Sequence, residues 1–333
     1  MISFLQGDVF DNIKKLDDNS IDCVVTSPPY WGLRDYGVPG QLGLEPTYQE
    51  HIKNIVELFK AMKPKLKDSA TIWLNYGDSY AATVNGTKVK DQVKNKVQFA
   101  DKYLIKGDDR TFRDKPFSTI QGSLKPKDLV MIPNRIAIAL QDDGWWIRSE
   151  IIWHKPNPMP ESTKDRPTQC HEKIWLITKS KKYYYDADAI REPTTEATKQ
   201  RMKSGWNGNQ KKNYASGKEQ NHLSNYFGSD KAKENALKGR NKRNVWTITT
   251  KPCKEAHFAT FPKDLIEPCI KAGCPENGIV FDPFGGSGTT GIVARLLNRR
   301  SILSELNPEY IKIAEARINK EFGIFKWVGH LKK

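Results

Sequence analysis

The chain has 333 residues, a formal charge of +15 and 38% hydrophobic residues, so it is too long for one small module and apolar enough to bury a sizeable core. No run approaches the ~18 consecutive apolar residues of a membrane-spanning helix, and Met1 leads straight into ISFLQ without the basic and apolar regions of a signal peptide. A pI near 9.4, with nine Trp and twelve Tyr, points to a polyanionic partner, nucleic acid first.

In chain order, residues 2–5 read as a short strand. Residues 21–26 (IDCVVT) form a continuous apolar run bounded by turn residues, the pattern of a buried parallel strand. Ile52, Ile55, Val56, Phe59 and Met62 recur at helical spacing, which predicts a helix over 48–62 that Pro64 helps to end. Residues 71–74 are a second buried strand. Residues 83–125 are rich in Lys and Asp with little periodicity, and order is expected to return at 126. A helix is predicted over 133–142, with Ile136, Ala139 and Leu140 on one face, followed by strands over 145–153 and 173–178. Trp145, Trp146 and Tyr183–Tyr185 are read as sheet residues.

From Lys199 to Arg243 there are twelve Lys or Arg against three Asp or Glu, with Trp206, Tyr214, Tyr226 and Phe227 interleaved. Such a segment suits a flexible solvated loop, or a surface that meets phosphates with charge and bases with rings. The remainder reads as helix 262–272, strand 278–281, helix 289–298 with Ile292, Val293, Leu296 and Leu297 inward, strand 301–304 and a final helix. Asn307 is the N-cap of that helix and Pro308 its first residue. Strands alternating with helices predict a doubly wound, mostly parallel α/β sheet.

Two loops carry the chemistry. Phe281-Asp282-Pro283-Phe284-Gly285-Gly286-Ser287-Gly288-Thr289-Thr290 lies between an apolar strand and an amphipathic helix, where glycines let the chain turn tightly and a ligand approach. Glu305 ends the next strand, 23 residues after Asp282, where doubly wound folds bind a nucleotide ribose. The glycine order is neither GxGxxG nor a P-loop, so phosphate cradling is not indicated. The second loop, Ser27-Pro28-Pro29-Tyr30-Trp31, follows directly on the buried strand 21–26, at a carboxyl end where open α/β sheets put their ligands. Its prolines fix φ and remove two N–H donors, which leaves the Ser27 hydroxyl and the Pro28 carbonyl as a row of acceptors for an amino group. Tyr30 offers a ring on which a base could stack.

With these motifs the chain resembles the permuted, beta-type amino-group DNA methyltransferases, in which an SPPY or DPPY motif comes first and DPFxGSGTT near the C-terminus. Gly7-Asp8, Leu74-Asn75-Tyr76-Gly77-Asp78, His257-Phe258-Ala259-Thr260-Phe261-Pro262 and Glu305-Leu306-Asn307-Pro308-Glu309-Tyr310 resemble further segments of that family. The likeness covers roughly residues 1–80, 126–192 and 245–320. It implies a Rossmann-like methyltransferase fold, circularly permuted, with S-adenosyl-L-methionine as cofactor and methyl transfer to the exocyclic amine of a base flipped out of double-stranded DNA. It implies Ser27, Pro28, Pro29 and Tyr30 as catalytic, and Asp8, Thr260, Phe261, Asp282, Phe284, Gly286, Ser287, Gly288, Thr289, Glu305 and Asn307 as cofactor-binding. Residues 1–192 become the catalytic half of the core with a basic insert over 83–125, residues 193–244 the target-recognition region, and residues 245–333 the cofactor-binding half. A cytoplasmic protein of bacterial, archaeal or phage origin is implied, as monomer or homodimer.

Ser27 favours cytosine N4 within the family, with adenine N6 as the alternative. RNA methylation and non-catalytic DNA binding stay open on the sequence. Pro252-Cys253 and Pro268-Cys269 precede the glycine motif, against the order expected for attack on cytosine carbon, so Cys23 and Cys269 are read as core residues. The five cysteines are scattered with no CxxC pair, which predicts neither a metal site nor a disulfide framework and implies a reducing compartment. The Pro-rich stretch 155–166 is either a surface loop or one that approaches DNA.

Overall fold

The structure, a computed structural model, describes residues 1–82, 117–197, 200, 234, 238–250, 261–323 and the backbone of 328–330. The chain packs as two compact units: residues 1–184 with 245–333, and residues 185–244. Among the described residues of the second, Glu192 bridges Arg240 in an antiparallel pair, and its carboxylate accepts from Nε of Arg240 and Nε of Arg243.

The first unit is a doubly wound sheet. Its strands are β1 (Ile2–Gln6), β2 (Ile21–Thr26), β3 (Leu66–Tyr76), β4 (Trp146–His154), β5 (His171–Thr178), β6 (Val245–Thr247), β7 (Ile279–Asp282), β8 (Arg300–Glu305) and β9 (Val328–His330). They lie in the order β6-β4-β5-β3-β2-β7-β8-β1-β9. Of these nine described strands only β5 runs antiparallel to its neighbours. Its first residues therefore stand at the edge where the other strands end.

β2 is buried along its whole length, as its β-branched run requires. β3 alternates: Ile72, Leu74 and Tyr76 join the large core cluster, while Thr71 faces the other way and donates to the Gly273 carbonyl at 2.9 Å. On the first face pack α1 (Val9–Lys14), α2 (Tyr48–Met62) and α3 (Ile132–Asp142). α2 is capped by the Thr47 hydroxyl, which accepts from the Glu50 amide, and buries Ile55, Leu58, Phe59 and Met62. On the second face lie α4 (Lys263–Gly273), α5 (Thr289–Leu296) and α6 (Pro308–Phe322), where Ile292, Ile311, Ala314 and Ile318 pack on Ile2, Phe4 and Leu303. As the sequence predicts, Asn307 caps α6 and Pro308 opens it. Among the described residues no helix is long and apolar enough to cross a membrane.

The structure corrects several expectations. Residues 117–125, expected to be part of the aperiodic stretch, are packed: Phe117 lies on Trp31 with ring centroids 5.6 Å apart, and Thr119 and Leu124 are buried. Aperiodic loops give no sequence signal of burial. Residues 83–116 lie outside the described set. Leu296 is exposed rather than inward, because α5 stops there and Asn298, at φ 59°, turns the chain back into β8. Tyr183–Tyr185 follow β5 as loop, where the polar run Lys179-Ser180-Lys181-Lys182 takes the chain off the sheet. α1, β6 and β9 were not anticipated. For α1 the signal is present, since the N-cap Asp8 precedes Val9, Ile13 and Leu16, which recur at helical spacing and are buried.

Candidate active site

A cavity of about 640 Å³ opens at the carboxyl edge of the sheet, large enough for a nucleoside-sized ligand with room beyond. Strand order sorts its wall. Asp8, Phe284, Gly286, Glu305 and Asn307 line one end, from β1, β7 and β8. Asn75, Trp153, Lys155, Asn157 and Glu172 line the other, from β3, β4 and β5. Ser27, Pro28, Pro29 and Tyr30 stand between them at the end of β2.

The glycine loop divides its labour. A Cβ at Gly285 would sit 2.8 Å from Leu303, and one at Gly288 would sit 2.9 Å from Ala314, so both let α5 and α6 close on the sheet. At Gly286 a Cβ would approach nothing nearer than the Phe284 carbonyl at 3.8 Å, and φ is 47°. Gly286 thus faces open cavity, whereas Gly288 and Asp282 are placed beneath the loop and off the wall. Glu305 ties the loop to the next strand: one oxygen accepts from the Gly286 amide and the other from the Asn307 amide, each at 2.8 Å. Burial pushes its carboxyl up, and these amides restrain the rise. Asp8 spends one oxygen capping α1, on the Phe10 and Asp11 amides. Ser287 and Thr289 reach the wall, yet both hydroxyls take donors from Arg317 on α6, a residue with no sequence signal. Phe261 lines the cavity, and Thr260 lies outside the described residues.

Asp282 is wholly buried and accepts from Thr26 at 2.8 Å, the Phe284 amide at 3.0 Å and Thr290 at 2.6 Å. Burial outweighs these donors and pushes its carboxyl from 3.8 up to about 6. The folded chain therefore holds a proton that the unfolded chain has released. This contribution to stability is full below the ordinary value and is lost as pH rises through about 6. Asp282→Asn cannot titrate. Wild-type stability relative to this variant is expected to fall by about 1–2 kcal/mol between pH 5 and 7.5. Urea unfolding at both pH values measures it, and a constant or widening advantage of the wild type over the variant contradicts the placement of Asp282.

The SPPY loop is held from below. Its Trp31 amide donates to Tyr76 Oη at 2.9 Å, and Tyr76 Oη also lies 3.3 Å from the Pro29 carbonyl and 2.7 Å from His51 Nε2. Buried His51 donates from Nδ1 to Glu45 at 2.8 Å. The Tyr30 ring stacks on Tyr76 with centroids 4.4 Å apart, so one of its faces is already used. Its hydroxyl meets Ser27 Oγ at 3.2 Å and Glu172 Oε2 at 2.8 Å. Burial, then the Glu172 charge, hold this phenol well above its ordinary value, and it keeps its proton. Among the described residues no donor reaches the Pro28 carbonyl, and Ser27 makes one bond, to Tyr30. Ser27 and Pro28 both line the wall, and each keeps an acceptor that the described residues leave unspent.

Sequence reasoning missed Glu172, Tyr76 and His51. Glu172 has no sequence signal of its own, since it stands between His171 and Lys173 at the polar start of β5. The 155–166 stretch puts Lys155 and Asn157 on the wall and leaves Met159 80% exposed. Cys23 and Cys269 are buried core residues, burial pushes Cys274 up to about 12, and no described cysteine lines the cavity. Cys253 lies outside the described residues.

These features agree with what the chain is similar to. The family model for DNA methylases, N6_N4_Mtase, matches residues 21–316. The Type II methyltransferase M.Cfr9I of Citrobacter freundii is 40% identical over 96% of this chain and 88% of its own length. The Type II methyltransferase M.SmaI of Serratia marcescens is 41% identical over 94% of this chain and 89% of its own. Among solved structures, the cytosine-N4-specific PvuII DNA methyltransferase shares the fold with a TM-score of 0.59 at 18% identity, over 96% of this chain and 90% of that one. A protein of Thermus thermophilus complexed with S-adenosyl-L-methionine does so with a TM-score of 0.56 at 21% identity, over the whole of both chains. Gly286 and Glu305 leave a cradle suited to that cofactor, with open space at the one glycine and acceptor oxygens at the end of β8. The chain belongs to the N6/N4 DNA methylase family and is an S-adenosylmethionine-dependent DNA amino methyltransferase.

Proposed function

We propose that the enzyme methylates cytosine N4 in double-stranded DNA, with Ser27 and the Pro28 carbonyl accepting the two amine protons. The observation that carries this reading is the pair of unspent acceptors on the cavity wall, beside an open glycine cradle. An exocyclic amine is a poor nucleophile because its lone pair is delocalised into the ring. Accepting both N–H groups favours a tetrahedral nitrogen with its lone pair free, and holding it in place supplies much of the rate. When bound, S-adenosylmethionine supplies a methyl group activated by its sulfonium sulfur. Glu305, Gly286, Phe284, Asp8 and Asn307 would hold it. The target base must leave the duplex, at a cost of a few kcal/mol. The cavity side of the Tyr30 ring offers a stacking surface that returns about 1–3 kcal/mol.

Ser at the first position of the motif supports cytosine, since in the family Asp or Asn there goes mostly with adenine. Residues 193–244, with their excess of Lys and Arg, are proposed as the target-recognition region. The bacterial Type II relatives support a cytoplasmic enzyme of a restriction–modification system. Digesting methylated duplex DNA to nucleosides and identifying them by mass spectrometry tests the assignment. N4-methylcytosine is expected. N6-methyladenine alone would overturn the choice of base and leave the acceptor pair standing, whereas 5-methylcytosine would overturn the mechanism.

A further inference from the structure

We propose that Glu172 is a positioning residue for methyl transfer: it accepts the Tyr30 proton, fixes the direction of the Ser27–Tyr30 hydrogen bond, and so keeps the Ser27 oxygen an acceptor for the amine. This rests on the reading of Ser27 given above.

Two hydroxyls 3.2 Å apart, such as Ser27 and Tyr30, can bond in either direction. Only one direction suits the reaction. If Tyr30 donates to Ser27, the Ser27 proton turns toward the amine and donor faces donor. If Ser27 donates to Tyr30, its lone pairs face the cavity. Tyr30 has a single proton, and a carboxylate can only accept. Glu172 Oε2 lies at 2.8 Å, nearer than Ser27 and charged, so the phenol proton goes there and Ser27 must donate.

Glu172 is itself braced by its neighbours. Asn75 Nδ2 donates to Oε2 at 3.1 Å and also reaches the Lys173 carbonyl at 3.2 Å. Lys155 Nζ, lying over the Trp153 ring, forms an ion pair with the other oxygen. Gly77 clears the space beside both partners, since a Cβ there would sit 2.7 Å from the Tyr30 ring and 3.3 Å from Glu172. The reversed strand makes this possible. β5 alone among the described strands begins at the ligand edge, which sets Glu172 opposite Trp153 and next to the end of β3. Glu172 touches neither base nor cofactor in this role and acts through Tyr30.

Steady-state kinetics on duplex DNA, together with calorimetry of cofactor binding, test the role. Glu172→Gln is expected to lower kcat about 10-fold, because its amide oxygen can still take the Tyr30 proton only by turning its nitrogen toward Lys155. Glu172→Ala is expected to lower kcat about 100-fold. The KM for DNA and the affinity for S-adenosylmethionine should stay within about twofold. In a Tyr30→Phe background, adding Glu172→Gln should cost less than about twofold, since the proton that Glu172 orders is gone. A loss in that background equal to the loss in wild type overturns the proposal, as does a loss that falls on KM or cofactor affinity instead of kcat. If Glu172→Ala does not fold, as melting would reveal, the Gln cycle decides alone. Ser27→Ala separates the two readings: an active Ser27→Ala enzyme overturns the acceptor assignment itself, whereas an inactive one beside unaffected Glu172 variants overturns only the role of Glu172.

Discussion

Gly286→Val is expected to weaken S-adenosylmethionine binding at least about 100-fold, equivalent to about 2.7 kcal/mol, while the protein remains folded. Three observations set the size and the specificity of this effect. The side chain would enter open cavity, because nothing of the protein lies within ordinary contact of a Cβ there except the Phe284 carbonyl at 3.8 Å. The residue has φ 47°, in the left-handed region that a β-branched residue avoids. Its amide is also the one that Glu305 accepts, so a shift of the backbone would move the carboxylate proposed to meet the ribose. Glu305→Ala is expected to act in the same direction, because it removes the acceptor and leaves the Gly286 and Asn307 amides without theirs. Gly288→Val is the informative control. Its Cβ collides with Ala314 inside the fold, so it should lower stability rather than affinity alone. Calorimetric titration alongside thermal melting separates the two. Wild-type cofactor affinity in both Gly286→Val and Glu305→Ala would remove the cofactor from this end of the cavity.

Ser27→Ala is expected to reduce kcat about 100-fold or more with cofactor affinity and melting temperature close to wild type. The hydroxyl is half-buried and makes one hydrogen bond, to Tyr30, so the fold loses little. The reaction loses one of two acceptors, and the Pro28 carbonyl cannot hold both amine protons. Because the effect arises as positive charge develops on the nitrogen, it should appear in kcat more than in the KM for DNA. Single-turnover methylation with cofactor and DNA both saturating gives the chemical step directly. A rate within about threefold of wild type would show that the amine is held elsewhere on the wall.

Much of this enzyme was legible in its sequence because the relevant signals are local. The β-branched run of β2, the Asn307 cap and the spacing of apolar residues in α2 each depend on a few consecutive positions, and the structure has these elements where the pattern puts them. The placing of the SPPY and glycine loops at carboxyl ends followed from the strands they terminate. Tertiary structure decided what depends on partners distant in the chain. Asp282 stands in the glycine motif, but only the packing of Thr26, 256 residues away, shows it as a buried support for the loop. Gly286 and Gly288 read alike, and the neighbours of each Cβ separate Gly288, which packs on Ala314, from Gly286, which faces the open cavity. Tyr30 looked free to stack until Tyr76 covered one face. Glu172 had no local signal at all, because its place beside Tyr30 comes from the reversal of one strand, and strand direction within a sheet is settled by pairing across the chain rather than by any stretch of residues.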